Sequence, residues 1–332
     1  MAFDNLRLEK GMYGRSGRSF SELLEELDPT PGYRGTEWAG LDAYQRQLKR
    51  FDIRVSGPAS DPVEKFFQSS DAAVLFPEYV ARAVRAGKEE QDVLSKIIAT
   101  KTMIDTPDYR TISSVPSEED LALKRVAQGA SIPETVIRTQ KNLVTLHKRG
   151  RMLVASYEAI RHQRLDLFTV TLRQIGAAIA KSQLADAIEV LTEGDGNGNP
   201  IEKVTVTGDF GYSHLVALWS ALAPYELRTI LAAPDVMADI LSMSEMRHPM
   251  CGAGFEQTGQ LITPLGAQLI QARSLGEGEL IGLDSSCALE MVCTDDISIE
   301  YDKLIDRQLE RAAITATAGF AKIFPDAARM IA

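Results

Sequence analysis

The sequence lacks the short motifs that mark many disulfide-rich, secreted and membrane proteins. Its cysteines, Cys251, Cys287 and Cys293, are odd in number and have no CxxC spacing, which predicts reduced thiols rather than a disulfide framework or a zinc site. No apolar run approaches roughly 18 residues, so we expect no membrane span. The first ten residues show no basic segment followed by an apolar one, so we expect no signal peptide.

Motifs for catalysis and cofactor binding are also missing. Neither phosphate-binding pattern, GxGxxG or GxxxxGK[ST], occurs, and the chain has no GxSxG elbow. Its four histidines form no HxxxH or CxxH pattern. We therefore predict no catalytic residues, no cofactor and no metal site. A soluble α/β enzyme with an active site assembled from scattered residues stays open as an alternative.

The segment GDGNGN at 194–199 is the best candidate for a calcium loop, because Asp195, Asn197 and Asn199 alternate as in an EF-hand. The sixth position of that loop requires Gly and is Pro200 here. The twelfth requires a bidentate Glu and is Val206. The segment therefore predicts the end of a helix followed by a tight turn.

The charge balance limits contact with nucleic acid. The 332 residues include 36 Lys and Arg against 46 Asp and Glu, a formal net charge of −10. Tight duplex binding needs many basic side chains to displace counterions. We therefore expect only local, non-specific contact with DNA. The 45% hydrophobic content is typical of a globular chain with one elaborate domain or two modest ones.

One long amphipathic helix is predicted over residues 165–193. Apolar residues recur there at steps of three and four, at Leu165, Phe168, Leu172, Ile175, Ile179, Leu184, Ile188 and Leu191. About 29 residues give a rod of roughly 43 Å, long enough to serve as the spine of a domain. The row shifts by one residue near Ser182 and Gln183, where we expect the helix to bend or to change packing partners.

The first 70 residues contain Gly and Pro breakers and two short helical patterns, at 20–27 and 38–54. Neither pattern buries much by itself. We interpret the segment as an extended arm that takes its contacts from something outside itself, such as another subunit. A flexible tail is the alternative, but the aromatic residues in both patterns argue against disorder.

A long protruding hairpin is predicted next. Strand patterns at 109–115 and 135–146 flank a polar segment without an apolar face. Such a hairpin needs a partner surface for its apolar residues. After the spine helix a helix–strand series follows, with helices at 213–222 and 234–243 and strands at 204–207, 228–232, near 269, near 280, at 289–292 and as a pair within 302–324.

Charged residues near the hairpin suggest a contact between subunits. Glu118, Glu119 and Asp120 lie near the predicted tip, whereas Arg149 and Arg151 lie where the returning strand meets the body. Charge runs are usually solvated faces. We nevertheless hypothesise that the acidic tip of one copy docks near the two arginines of a neighbour.

The order of these parts resembles the major capsid protein of tailed phages with the Hong Kong 97-like fold. The resemblance is strongest between residues 74 and 198, through LFPEY at 75–79, QGASIPET at 128–135, LVTLHKRGRMLVASYEAI at 143–160 and GDGNG at 194–198. It implies an α+β structural protein without an active site. The implied parts are an N-terminal arm at 1–73, a peripheral domain at 74–106 and 148–212 that contains the spine helix, an E-loop at 107–147, an axial domain at 213–295, and a return to the peripheral domain at 296–332.

The resemblance also implies partners and a location. The chain would form hexamers and pentamers of an icosahedral shell around double-stranded DNA, together with portal and scaffold proteins and a decoration protein. It would be a virion component assembled in the bacterial cytoplasm. An encapsulin-type nanocompartment shell is the nearest alternative, and the long N-terminal arm favours the phage shell.

Two family features are expected to be absent. Some members link subunits by an isopeptide bond between an E-loop lysine and a peripheral-domain asparagine, but this chain has no Asn after residue 199. We therefore expect boiled, reduced particles to run as monomers on a denaturing gel. The residues before 74 do not sustain the heptads of a cleaved scaffold, so we expect an intact arm and a separate scaffold protein.

Overall fold

The computed structural model describes residues 2–14, 18–113, 125–126, 128, 138–156, 162–246, 261–304 and 309–332. These residues form seven α-helices and eleven β-strands, which fits the predicted α+β class. The helices are α1 (Phe20–Leu27), α2 (Ala43–Arg50), α3 (Ser70–Val74), α4 (Phe76–Glu90), α5 (Leu165–Glu193), α6 (Tyr212–Ala221) and α7 (Pro234–Ser242). The strands are β1 (Thr100–Met103), β2 (Ile112–Ser113), β3 (Arg138–Thr139), β4 (His147–Ser156), β5 (Glu202–Lys203), β6 (Thr229–Ala232), β7 (Gln268–Gln271), β8 (Leu280–Leu283), β9 (Leu289–Leu304), β10 (Leu309–Lys322) and β11 (Ala328–Ile331).

The chain forms two compact units, and each unit combines three separate stretches of sequence. Unit 1 consists of Met1–Gln91, Arg149–Ala180 and Ile297–Ala316. Unit 2 consists of Asp92–Lys148, Lys181–Asp296 and Thr317–Ala332. Each unit has its own apolar core.

The predicted spine helix is confirmed as α5, with the bounds expected from the sequence. Its residues from Leu165 to Ile179 belong to the core of unit 1, and those from Ala187 to Leu191 belong to the core of unit 2. The predicted change of packing partners is thus confirmed, and it falls where the apolar row shifts by one residue. Gln183, at the shift, is buried.

Glycine allows α4 and the first half of α5 to approach each other at backbone contact. A Cβ atom built on Gly176 would lie 1.9 Å from the carbonyl oxygen of Val84, and one on Gly87 would lie 2.1 Å from that of Arg173. No side chain fits at either position unless the helices separate. An ion pair of 3.0 Å between Arg173 and Glu90 lies beside this crossing.

The expectation that residues 1–73 form an extended arm is wrong for the described residues, which pack against the rest of their own chain. Their apolar side chains are buried in the core of unit 1, at Leu8, Met12, Phe20, Leu24, Ala43, Tyr44, Leu48, Ile53, Val63, Phe66 and Ala72. Phe3 and Tyr33 are buried as well, outside that core. The breakers act as turns that fold the segment back on itself. Gly35 and Gly40 have φ values of +79° and +91°, which L side chains rarely adopt.

A buried ion pair joins the two short helices of this segment. Arg46 of α2 donates from Nε to Oδ2 of Asp28, just after α1, at 2.7 Å. The relative exposures of the two residues are 0% and 1%. Tyr33 donates to the other carboxylate oxygen at 2.6 Å, and Arg46 also reaches the carbonyl oxygen of Leu41 at 2.6 Å. Arg46 and Asp28, whose charges suggest a solvated surface, are therefore part of the interior of this segment.

Unit 2 contains a five-stranded sheet in the order β5–β11–β8–β6–β7. All four residues of β6 and of β8 are buried, which is typical of central strands. Helices α6 and α7 and strands β6 to β8 occur where they were predicted. The predicted strand at 204–207 is wrong, because the ladder is formed by Glu202–Lys203 and ends after the Val204 amide donates to the carbonyl oxygen of Met330.

The stretch 302–324 contains strand, as predicted, but the pair does not lie within it, because β9 begins at Leu289 and only its last three residues, followed by β10, fall there. β9 and β10 are adjacent in a four-stranded sheet of order β1–β9–β10–β4. The last strand does not follow residues 297–316 into unit 1. β11 pairs antiparallel with β8 and parallel with β5. The tail therefore ends inside the sheet formed by the predicted axial segment.

Candidate assembly surface

The base of the predicted hairpin is an antiparallel strand pair. Ile112 of β2 lies opposite Thr139 of β3, and Ser113 lies opposite Arg138. The two segments predicted to flank the hairpin therefore meet as expected. Residues 114–124 and 129–137, which include Glu118, Glu119 and Asp120, lie outside the described residues.

The single long strand predicted at 135–146 is wrong within residues 138–146. Strand structure is limited there to β3, and β4 begins only at His147. The residues between β3 and β4 form hydrogen bonds with other segments instead of continuing a strand. The Val144 amide donates to the carbonyl oxygen of Tyr109, and the side chains of Gln140 and Asn142 bond to the turn after α5.

Buried Glu290 of β9 holds the outgoing side of the hairpin base. Its carboxylate accepts hydrogen bonds from the hydroxyls of Thr102 at 2.5 Å, Tyr109 at 2.8 Å, and Thr111. Burial and the adjacent carboxylate both raise the pKa of the Tyr109 phenol, which therefore stays protonated as a donor. We call these four residues the Glu290 cluster.

The turn at 194–199 forms as predicted. The Gly194 amide donates to the carbonyl oxygen of Val190 at 3.0 Å, and Gly194 has a φ of +94°. Lys322, at the end of β10, lies beside this turn with a relative exposure of 1%. Burial lowers the pKa of its ammonium group to about 8, and Asp195 offsets part of that effect.

The predicted basic contact residues lie on β4. Arg149 and Arg151 are both exposed. Leu153, which follows Arg151 by two residues and lies on the same side of the strand, packs against the core of unit 1. Met152 and Val154 are on the opposite side and are 53% and 52% exposed. In the described part of the chain, β4 pairs only with β10 and forms one edge of its sheet. This edge presents both charge and apolar surface.

Carboxylate, thiol and imidazole side chains are the groups that a metal site or an active site of the described residues would use. The described residues contain no group of three or more His, Cys, Asp or Glu side chains that could hold a metal ion. Cys287 and Cys293 are free thiols, and Cys251 lies outside the described ranges. The buried carboxylates of Glu290 and Asp28 are both used in structural hydrogen bonds.

None of the helices in the described ranges is long and apolar enough to cross a lipid bilayer.

Sequence reasoning missed the residues that anchor the hairpin base. Glu290, Gln140 and Lys322 stand in no motif and are separated by more than fifty residues along the chain from the partners that they anchor. Only the glycine-rich turn was visible in the sequence, and it predicted a local shape rather than these long-range bonds.

Comparison with known proteins gives one family and one fold. Residues 139–271 match the model of the family described as phage capsid protein. No curated protein sequence matches the chain significantly. The virus-like particle from Pyrococcus furiosus has a TM-score of 0.53 and 11% identity over 77% of this chain and 98% of its own. The capsid of the native GTA particle has a TM-score of 0.52 and 14% identity over 71% and 89%.

These structural similarities are at low sequence identity and show the fold, while the family match is confined to residues 139–271. The match covers the hairpin return, β4, all of α5 and most of the helix–strand series of unit 2. With the α+β architecture and the spine helix both in place, this chain has the Hong Kong 97-like fold, and residues 139–271 match the phage capsid protein family.

Proposed function

We propose that this capsid protein is the repeating subunit of an icosahedral shell, assembled through hexamers and pentamers, that encloses the double-stranded DNA of a tailed phage or prophage. The observation that carries the proposal is the phage capsid family match on residues 139–271, which falls on the spine helix of a shell-type fold. Head-to-tail interfaces that close into rings are the expected way for identical subunits to form such a shell.

The charge distribution supports a wall that contains DNA without binding it tightly. A net charge of −10 repels a polyanion overall, so contact with packaged DNA would be local and non-specific. A shell that fills with genome also requires a portal, and its assembly uses a scaffold protein, with a decoration protein as a further partner. The subunit would assemble in the host cytoplasm and reside in the virion.

Purified protein tests this proposal by electron microscopy and nuclease protection. We expect closed icosahedral particles from the expressed chain, and genome-length DNA protected from nuclease in particles isolated from phage lysates. Closed particles that hold a protein cargo and no protected DNA would instead favour an encapsulin-type nanocompartment. A compact monomer or dimer in size-exclusion chromatography would contradict a shell of either kind and favour a soluble enzyme.

The proposed contact between the hairpin tip and β4 has its own test. Changing Arg149 and Arg151 together to Glu should abolish assembly, because the acidic residues Glu118, Glu119 and Asp120 of the neighbour would then meet like charge. Circular dichroism of the subunit should be unchanged. Normal particles from this variant would refute the contact.

The matched control reverses two exposed basic residues of the N-terminal segment, Lys10→Glu with Arg34→Glu. This pair makes the same change in net charge. It should leave assembly intact if the effect at β4 is local.

A further inference from the structure

The turn at 194–199 is stabilised by hydrogen bonds among its own residues. Oδ1 of Asn199 accepts from the Asp195 amide at 3.1 Å. Oδ1 of Asp195 accepts from both the amide and the side-chain nitrogen of Asn197, at 3.2 and 3.0 Å. These bonds hold the side chains of Asp195, Asn197 and Asn199 in position within the turn.

Those atoms bind the returning segment of the hairpin base, residues 140–142. The side-chain nitrogen of Asn197 donates to Oε1 of Gln140 at 2.6 Å, and Oδ1 of Asn197 accepts from the Asn142 amide at 3.1 Å. Asn142 donates in turn from its side chain to the carbonyl oxygen of Gly196 at 2.7 Å. Gln140 and Asn142 of the returning segment are therefore both bonded to the same turn.

The end of β10 completes the arrangement. The Lys322 amide donates to Oδ2 of Asp195 at 3.0 Å, and its ammonium group donates to the carbonyl oxygen of Asn199 at 2.8 Å. The carbonyl oxygen of Lys322 accepts from Gln140 at 2.8 Å. Hydrogen bonds thus connect the turn, the returning segment and the end of β10 to one another.

Apolar packing at the hairpin base is slight by comparison. Among the described residues, the buried apolar cluster here comprises Val144, Val292 and Ala321, with Ile104, Tyr109 and Leu146 packed against it. Hydrophobic burial is non-directional, whereas hydrogen bonds specify geometry. The orientation of the hairpin base, β2 and β3, must therefore be set mainly by polar contacts, from Glu290 on the outgoing side and from the turn on the returning side.

We propose that the turn at 194–199 is a positioning element for assembly, with Asn197 as its central residue, which fixes the returning segment of the hairpin so that the hairpin points correctly towards a neighbouring copy. This proposal rests on the proposed shell function. A small change of direction at the base displaces the far end of a hairpin by an amount that grows with its length, so a few bonds at the base control a distant contact.

Two reciprocal variants test the proposal, Asn197→Ala on the turn and Asn142→Ala on the returning segment. Amide hydrogen exchange of the unassembled subunit should become about tenfold faster in residues 138–146, with exchange in α6 and the five-stranded sheet unchanged. The thermal midpoint should stay within about 3 °C of wild type. Electron microscopy should show at least a fivefold lower yield of closed particles, with open or irregular products.

The control is Lys141→Ala, which lies between the two bonded residues and has an exposed side chain. It should assemble and exchange like wild type. Faster exchange with normal particles would overturn the positioning role, and unchanged exchange would overturn the anchor itself. If even wild type formed no particles, the shell function would fail, while the exchange data would still decide whether the turn anchors the hairpin.

Discussion

The N-terminal segment and the hairpin base look alike in sequence and are stabilised in different ways. Both are rich in polar residues and breakers, and both suggest parts that need another subunit. The N-terminal segment buries more than a dozen apolar side chains in unit 1, around the ion pair of Arg46 and Asp28. The hairpin base has a minimal apolar cluster and depends on hydrogen bonds to Glu290 and to the turn at 194–199.

This difference separates stability from orientation. A segment that contributes to the main core of its unit affects whether the subunit folds. A segment held by a few directional bonds affects where its far end points. Substitutions in the two regions should therefore differ in their effect on unfolding free energy, and three measurements would test this.

The largest loss is expected from Arg46→Met. The substitution leaves the carboxylate of Asp28 buried with only Tyr33 as a side-chain donor, and breaking a buried pair from one side costs about 3–5 kcal/mol. Urea unfolding of the unassembled subunit measures this loss. Arg34→Met, at an exposed position, should change the free energy of unfolding by less than about 0.5 kcal/mol. If Arg46→Met lowered the free energy of unfolding by less than about 0.5 kcal/mol, the ion pair would not be what stabilises the N-terminal segment.

Gly176→Ala measures how much the free energy of unfolding of unit 1 depends on the close packing of α4 and α5 rather than on polar contacts. The added methyl would lie 1.9 Å from a backbone oxygen, so α4 and α5 must separate. Overpacking of this kind costs about 1–3 kcal/mol, and the higher helix propensity of Ala returns less than about 1 kcal/mol. We expect a net loss of about 2 kcal/mol by the same urea measurement. Gly32→Ala, where a Cβ meets nothing within 4 Å, should be close to neutral.

The smallest effect concerns Lys322 and depends on pH. Its pKa falls from 10.5 to about 8 on folding, so between these values the unfolded chain binds more protons and stability rises with pH. Wild type should gain up to about 2 kcal/mol relative to Lys322→Met between pH 7 and 9.5. Asp195 and Arg329 act on the same ammonium group, with opposite signs. A difference independent of pH would mean that the buried ammonium is solvated.

The sequence predicted the regular elements well because their signals are local. The apolar period of three and four defines α5 to its ends, and the same signal finds α6, α7 and the strands between them. It mispredicted residues 1–73 because Arg46 and Asp28 look solvated unless their contact is known. It mispredicted the strand at 135–146 because Gln140 and Asn142 bond to a turn more than fifty residues away.

The candidate contact residues show the same limit. Arg149 and Arg151 were predicted from charge, and the structure places both in exposed positions on an edge strand. Their docking with the acidic residues of a neighbour stays a prediction. The anchoring role of the 194–199 turn had no sequence signal beyond its glycines, because hydrogen bonding between distant segments leaves no periodic pattern.

The interleaving of the two units has a consequence for the order in which a newly made chain can fold. Unit 1 needs residues 297–316, including fully buried Ile314, to complete the core begun by its first 91 residues. Unit 2 needs β11, which lies between β5 and β8 in its sheet. Neither unit can therefore complete its core until its last stretch of sequence has been synthesised. A chain that stops before residue 297 lacks part of both units.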